Sequence, residues 1–136
     1  MSENMEQAIH SIMSEMFEIQ QKSKAFVDII SANDGLSQNQ IMLLIQLKLY
    51  KSMKITEIAS TFLISPGAAT SMCDKLENMN LVARVRQQED RRVVKLVLTD
   101  KGTEKVVDLF KQFPHERLSE ITVVFKKVNQ LMSTIL

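Results

Sequence analysis

Glycine is scarce in this 136-residue sequence. Gly35, Gly67 and Gly102 stand too far apart to build a dinucleotide fingerprint or a phosphate-cradling loop. A single cysteine excludes an intrachain disulfide and every multi-cysteine zinc pattern. The two histidines, His10 and His115, do not by themselves make a histidine-rich metal site, so no metal and no cofactor is expected. Seven aromatic residues, six Phe and one Tyr with no Trp, argue against the base-stacking platforms of single-strand binders. Long apolar runs are missing too. The longest charge-free stretch, Ile58 to Cys73, is broken by Ser60, Ser65, Pro66 and Gly67 and falls short of the ~20 apolar residues that span a bilayer. The start, Met1-Ser2-Glu3-Asn4, is acidic and has no apolar secretory core. A cytoplasmic protein without a membrane segment is the expectation, and nothing advertises an enzyme.

What remains is an ordinary globular composition, 45% apolar and 24% charged. At roughly 150 residues per domain, it fits one domain over 1–136. Net charge is +1, but it is unevenly placed. Residues 1–47 hold two basic against six acidic residues, 48–105 eleven against seven, and 106–136 four against three, or −4, +4 and +1. A basic centre is a local footprint for a polyanion, although a solvated charged surface reads the same way on charge alone.

Apolar residues from Met5 to Ile30 recur at three- and four-residue steps, which predicts an amphipathic helix stopped by Asn33-Asp34-Gly35. At roughly 1.5 Å per residue it is nearly 40 Å long, a length that suggests packing against a partner. Ser37 and Gln40 make a capping box, and Leu36 can staple onto Ile41, so the next helix runs through Ile41 to Leu49. A third helix opens at Lys54-Ile55-Thr56, with Thr56 as N-cap and Ile58, Ala59, Phe62 and Leu63 on its inner face. After a tight turn Ser65 caps a fourth helix with Pro66 at its first position. Ala69, Met72, Cys73, Leu76 and Met79 form its buried stripe. Gly67, Thr70, Ser71, Asp74, Lys75 and Asn78 form the opposite face. Asn80 is a left-handed stop. Leu81 to Arg86 and Val93 to Leu98 then read as two strands joined by a polar tip over 87–92. Thr99 caps a helix over Asp100 to Phe113, ended by Pro114. A last amphipathic helix carries Leu118, Ile121, Phe125, Val128, Met132 and Ile135.

Two helices joined by a tight turn and followed by a hairpin make a winged helix-turn-helix, whose second helix can enter a DNA major groove. The fold class is therefore mainly α (α+β), with a winged core over 36–102 and flanking helices over 1–33 and 103–136. Gly67 and Ala68 permit close backbone approach, Thr70 and Ser71 can donate to phosphates or base edges, and Lys75 is a cation for phosphate. An ordinary surface helix is the competing reading of that stretch. Glu89-Asp90-Arg91-Arg92 places two guanidiniums at an exposed tip beside an acid that can orient one of them, and a narrow minor groove attracts such an arginine.

The sequence resembles the MarR family of bacterial winged-helix regulators. The matching residues are Leu36-Ser37 with Gln40, Ile55-Thr56-Glu57-Ile58-Ala59, Ile64-Ser65-Pro66-Gly67, Asp74-Lys75-Leu76-Glu77, Leu81-Val82-Ala83-Arg84, Asp90-Arg91-Arg92 and Leu96-Val97-Leu98-Thr99-Asp100-Lys101-Gly102. The resemblance implies a homodimer built from the terminal helices, reading a pseudo-palindromic operator in double-stranded DNA. It also implies repression of transcription, with release by a small ligand or an oxidant. Ser65 to Lys75 would be the recognition helix and Arg92 the arginine in the minor groove. Asp90 would hold the wing through Arg92 or Arg84. Asn80 stands where the family usually has glycine, and the recognition helix has no arginine to read guanine bidentately.

Cys73 invites an oxidant-responsive reading. Its place on the Met72 and Leu76 stripe points instead to a core thiol, and the family's sensing cysteines usually sit in the first helix, where this chain has Met13 and Met16. His10 and His115 could meet across a dimer, or be ordinary surface histidines. The nine methionines suit adaptable core and interface space, or the lining of an apolar site. An apolar or phenolic effector is expected near Phe17 and the helix that begins at Ser37. Two other classes stay open: a winged-helix protein-interaction module without DNA binding, and an enzyme, for which the composition barely permits a nucleophile–base pair.

Overall fold

The computed structural model describes residues 2–31 and 35–136. It divides into two compact units, one ending at Leu43 and one from Leu44 to Leu136. The division falls inside a helix, whereas the sequence places the start of the winged core at residue 36.

The first unit is dominated by α1, Glu3–Ile30, whose 28 residues span ~42 Å. Ser2 starts it by accepting from the Met5 N–H at 3.2 Å, and Glu3 and Glu6 favour the positive end of its dipole. Ile12, Met13, Met16 and Phe17 are all exposed along it. At the other end Ser31 closes the helix, its N–H donating to the Val27 carbonyl at 3.0 Å. Asn33 and Asp34, read as the stop, lie outside the described residues. The capping box of α2, Gln38–Tyr50, is present in both halves. The Gln40 N–H donates to Ser37 Oγ at 3.2 Å, and the Ser37 N–H to Gln40 Oε1 at 2.8 Å. Gln38 Nε2 also donates to the Lys24 carbonyl and to Asp28 Oδ1, tying the start of α2 to α1.

In the second unit β1, Ser52–Lys54, leads directly into α3, Ile55–Phe62. Next come α4, Pro66–Asn78, β2, Val82–Arg86, and β3, Val94–Leu98. Two helices finish the chain: α5, Asp100–Lys111, and α6, His115–Ser133. The sheet is antiparallel with β3 in the middle of the order β1-β3-β2. Its register sets Met53 and Arg84 opposite Leu96 on either side. Ile58, Ala69, Cys73, Leu76, Leu81, Val82 and Leu96 are buried, as α3 packs on α4 and α4 on β2.

Several sequence expectations are corrected here. The short strand β1 is additional to the two expected. Lys54, not Thr56, is the N-cap of α3, and its backbone N–H donates to Glu57 Oε1 at 3.1 Å. Leu63 and Met79 are exposed, not buried: each follows the last turn of its helix, where the chain swings away from the core. The helix expected to run to Phe113 ends at Lys111, with Gln112 as C-cap. None of the apolar residues of α6 is buried.

Candidate nucleic-acid interface

The fourth helix starts as its sequence requires. Ser65 has extended backbone, and its Oγ accepts from the Ala68 N–H at 3.1 Å, while Pro66 fills the first helical position where no N–H is needed. Burying Ala69, Met72, Cys73 and Leu76 turns Gly67, Ala68, Thr70, Ser71, Asp74 and Lys75 to solvent. A Cβ placed on Gly67 would meet nothing within 4 Å. The glycine thus serves no packing need, and the space before the first turn of α4 is open to a close-lying backbone.

Asn80 ends α4 with φ 60. The Leu81 N–H then reaches back to the Leu76 carbonyl at 3.1 Å and the Asn80 N–H to that of Glu77 at 2.9 Å, a left-handed stop that satisfies the last turn. Thr99-Asp100-Lys101-Gly102 latches onto this corner. The Thr99 N–H donates to the Leu81 carbonyl at 3.1 Å and its hydroxyl to that of Asn80 at 2.6 Å, while Lys101 Nζ donates to that of Met79 at 3.1 Å. Gly102 lies so close that any Cβ would overlap the Leu81 carbonyl. This block of the resemblance is thus structural: it locks the start of α5 to the junction of α4 and the wing.

At the wing tip Asp90 organises Arg92 and not Arg84. Asp90 Oδ1 accepts from the Arg92 N–H and from its Nε, each at 3.1 Å, and Oδ2 accepts from Nη2 at 3.4 Å. These bonds from Arg92 hold the Asp90 carboxyl below its ordinary value. The Arg92 side chain is nonetheless 92% exposed, a cation steered by its neighbour and open to solvent. Arg91 is exposed beside it, and its carbonyl accepts from Arg86 Nη1 at 2.7 Å, closing the tip.

Arg84, the other possible partner of Asp90, is held instead by two carboxylates of α4. Its Nη2 donates to Asp74 Oδ1 at 2.6 Å and its Nη1 to Glu77 Oε1 at 2.7 Å. Those bonds, with the hydrogen bond that Arg84 donates to Asp74 foremost, raise the guanidinium above its ordinary value. Asp74 and Glu77 have no role assigned from the sequence. Their signal was the three-residue spacing, which puts both carboxylates on one helix face.

Cys73 is fully buried, and burial pushes its thiol up from its ordinary value despite the nearby Arg84. It is a thiol with little thiolate character. His10 is exposed on α1 in the first unit, and His115 begins α6 in the second. Among the described residues no three His, Cys, Asp or Glu cluster to hold a metal, and no helix is long and apolar enough to cross a membrane. Within the second unit an open apolar groove of about 410 Å³ runs between α2, α5 and α6. Ile45, Leu49, Val106, Phe110 and Leu118 line it together with Lys48 and Lys111.

The winged helix, its exposed helix face and the wing arginine coincide with a family match. Residues 36–94 match the model of the MarR family. Over that stretch the chain is similar to the MarR family. A stretch of 68 residues is 44% identical to the HTH-type transcriptional repressor MdtR of Bacillus subtilis (strain 168), covering 50% of this chain and 44% of that protein. The chain therefore spans less than half the length of that curated MarR-type relative. The crystal structure of YusO from Bacillus subtilis is 28% identical with a TM-score of 0.58, over 96% of this chain and 99% of that one. A MarR family protein from Bacillus stearothermophilus shares the fold with a TM-score of 0.71 at 20% identity, over 94% and 97% of the two chains. Of these three, MdtR is a transcriptional repressor by name.

Proposed function

We propose that this protein is a cytoplasmic transcriptional repressor that binds double-stranded DNA as a homodimer, with α4 in the major groove and the wing tip in the flanking minor groove. The observation that carries the reading is Arg92, 92% exposed yet aimed by three hydrogen bonds to Asp90, in the same compact unit as the open face of α4. An exposed guanidinium gains little from an acidic neighbour in water, so its fixed geometry is useful to a ligand that concentrates negative charge in a narrow groove. Ser65, Pro66, Gly67 and Ala68 at the helix start, with Thr70, Ser71 and Lys75 on its outward face, supply the major-groove side. Arg91 lies along the phosphates. The relative named a transcriptional repressor supports the sign of regulation.

Homodimerisation rests on the terminal helices, α1 and α6, whose apolar residues are left largely uncovered. Two recognition helices related by a two-fold axis read half-sites about 34–36 Å apart, so the operator is a pseudo-palindrome. The groove between α2, α5 and α6, apolar with two lysines, fits an apolar effector that carries an acidic or phenolic group. Incubating the chain with a random-sequence duplex pool and sequencing the retained DNA tests the central reading. Enrichment of a two-fold symmetric site with centres about 10 base pairs apart is expected. Retention without sequence preference contradicts sequence-specific binding.

A further inference from the structure

Arg84 belongs to the wing by sequence and to the recognition helix by its bonds. It stands on β2, and its fork spans Asp74 and Glu77, at 2.6 and 2.7 Å, nearly one turn apart on α4. Its side chain is 27% exposed, against 92% for Arg92, so solvent screens these pairs far less. We propose that Arg84 is a positioning residue, clamping the wing to α4 at the angle that lets both enter one duplex, and that it makes no phosphate contact of its own. The inference rests on the DNA-binding reading above.

Charge and leverage both support the clamp. One guanidinium between two carboxylates leaves the trio net negative, which repels phosphate instead of attracting it. Contact between α4 and β2, with Leu76 and Val82 buried, already holds the two elements together. Apolar contact is non-directional, whereas a bidentate guanidinium fixes orientation. In the ladder Arg86 lies opposite Val94, so Arg92 stands about four residues beyond Arg84, roughly 13 Å at 3.3 Å per residue. A 15° tilt of the hairpin at its base would then carry Arg92 about 3 Å sideways, half the roughly 6 Å width of the minor groove. Without the clamp the two contacts are made one at a time, and the sequence-specific complex suffers more than loose electrostatic binding.

The test uses the full chain, a duplex selected by the wild type from a random pool, and a scrambled duplex of the same composition. Wild type, Arg84→Gln, Asp74→Asn, Glu77→Gln and the double variant Asp74→Asn/Arg84→Gln are titrated at two salt concentrations, with thermal unfolding followed alongside. Arg84→Gln is expected to lose about tenfold on the selected duplex and less than about twofold on the scrambled one, with the wild-type salt slope. The double variant is expected to lose no more than Arg84→Gln alone, because the partners act as a unit. A salt slope lower by about one unit in Arg84→Gln identifies a phosphate contact and overturns the clamp. Equal losses on both duplexes also overturn it, since they would report only a weakened fold. Should Arg84→Gln fail to fold, Asp74→Asn and Glu77→Gln carry the same comparison, and an unchanged ratio between the duplexes overturns the proposal. A wild type that selects no duplex overturns the DNA reading and the clamp together. A wild type that selects one, with variants indistinguishable from it, overturns the clamp alone.

Discussion

Gly102 has no room for a side chain. A methyl on its Cα would overlap the Leu81 carbonyl, which is held in place by the Thr99 N–H. Backbone on both sides cannot rotate out of the way as a flexible side chain can, so Gly102→Ala is expected to cost at least about 2 kcal/mol. A lowered urea midpoint with unchanged m-value would show it, and an unchanged midpoint would contradict the tight corner. This residue was legible in the sequence only as part of a family motif. The reason for it lies in tertiary contact. Ser65, Asn80 and Thr99 were legible directly, because each satisfies backbone groups within four residues of itself, and Pro66 because it stands where the helix needs no N–H. Arg84 was not. Asp74, Glu77 and Asp90 all lie within ten positions of it, and only the hairpin register, which lifts Asp90 to the tip, decides among them.

Among the elements, the turn between α3 and α4 stores strain at one place. Leu63 has φ 54 and is 92% exposed, so its side chain incurs the left-handed penalty and buries almost nothing. Glycine avoids that penalty, about 1–2 kcal/mol, but orders a more flexible chain on folding. Leu63→Gly is therefore expected to raise stability by about 0.5 kcal/mol, measured as a higher urea midpoint. A lower midpoint would show that Leu63 has a packing role. Helices were legible because their apolar residues repeat and their caps are local, and α4 follows its pattern from Ser65 to Asn80. β1 was not legible: three residues, Ser52-Met53-Lys54, carry no alternation long enough to read, and they become a strand only because β3 lies beside them. The same dependence moved the cap of α3, since β1 delivers Lys54 already extended at its N-cap.

At the scale of the whole molecule, uncovered apolar surface is the main feature. Met13, Met16 and Phe17 on α1, and Val124, Phe125, Val128 and Leu131 on α6, are each more than 40% exposed. Surfaces of this kind mark association sites. The chain is expected to be a dimer at micromolar concentration by light scattering, and a folded monomer there would contradict the proposed assembly. The outline of the winged core and the amphipathic character of the terminal helices were readable from period and caps. What those faces meet was not, because an apolar stripe has the same spacing whether it faces its own core or another chain.

The central claim is that α4 and the wing grip one duplex, and the salt dependence of Arg92→Ala tests it most directly. Wild type and variant are titrated with the selected duplex across a series of salt concentrations. Loss of one groove-seated cation is expected to weaken binding and to lower the slope of log affinity against log salt by about one unit. Unchanged affinity and slope in a folded Arg92→Ala protein would contradict the account.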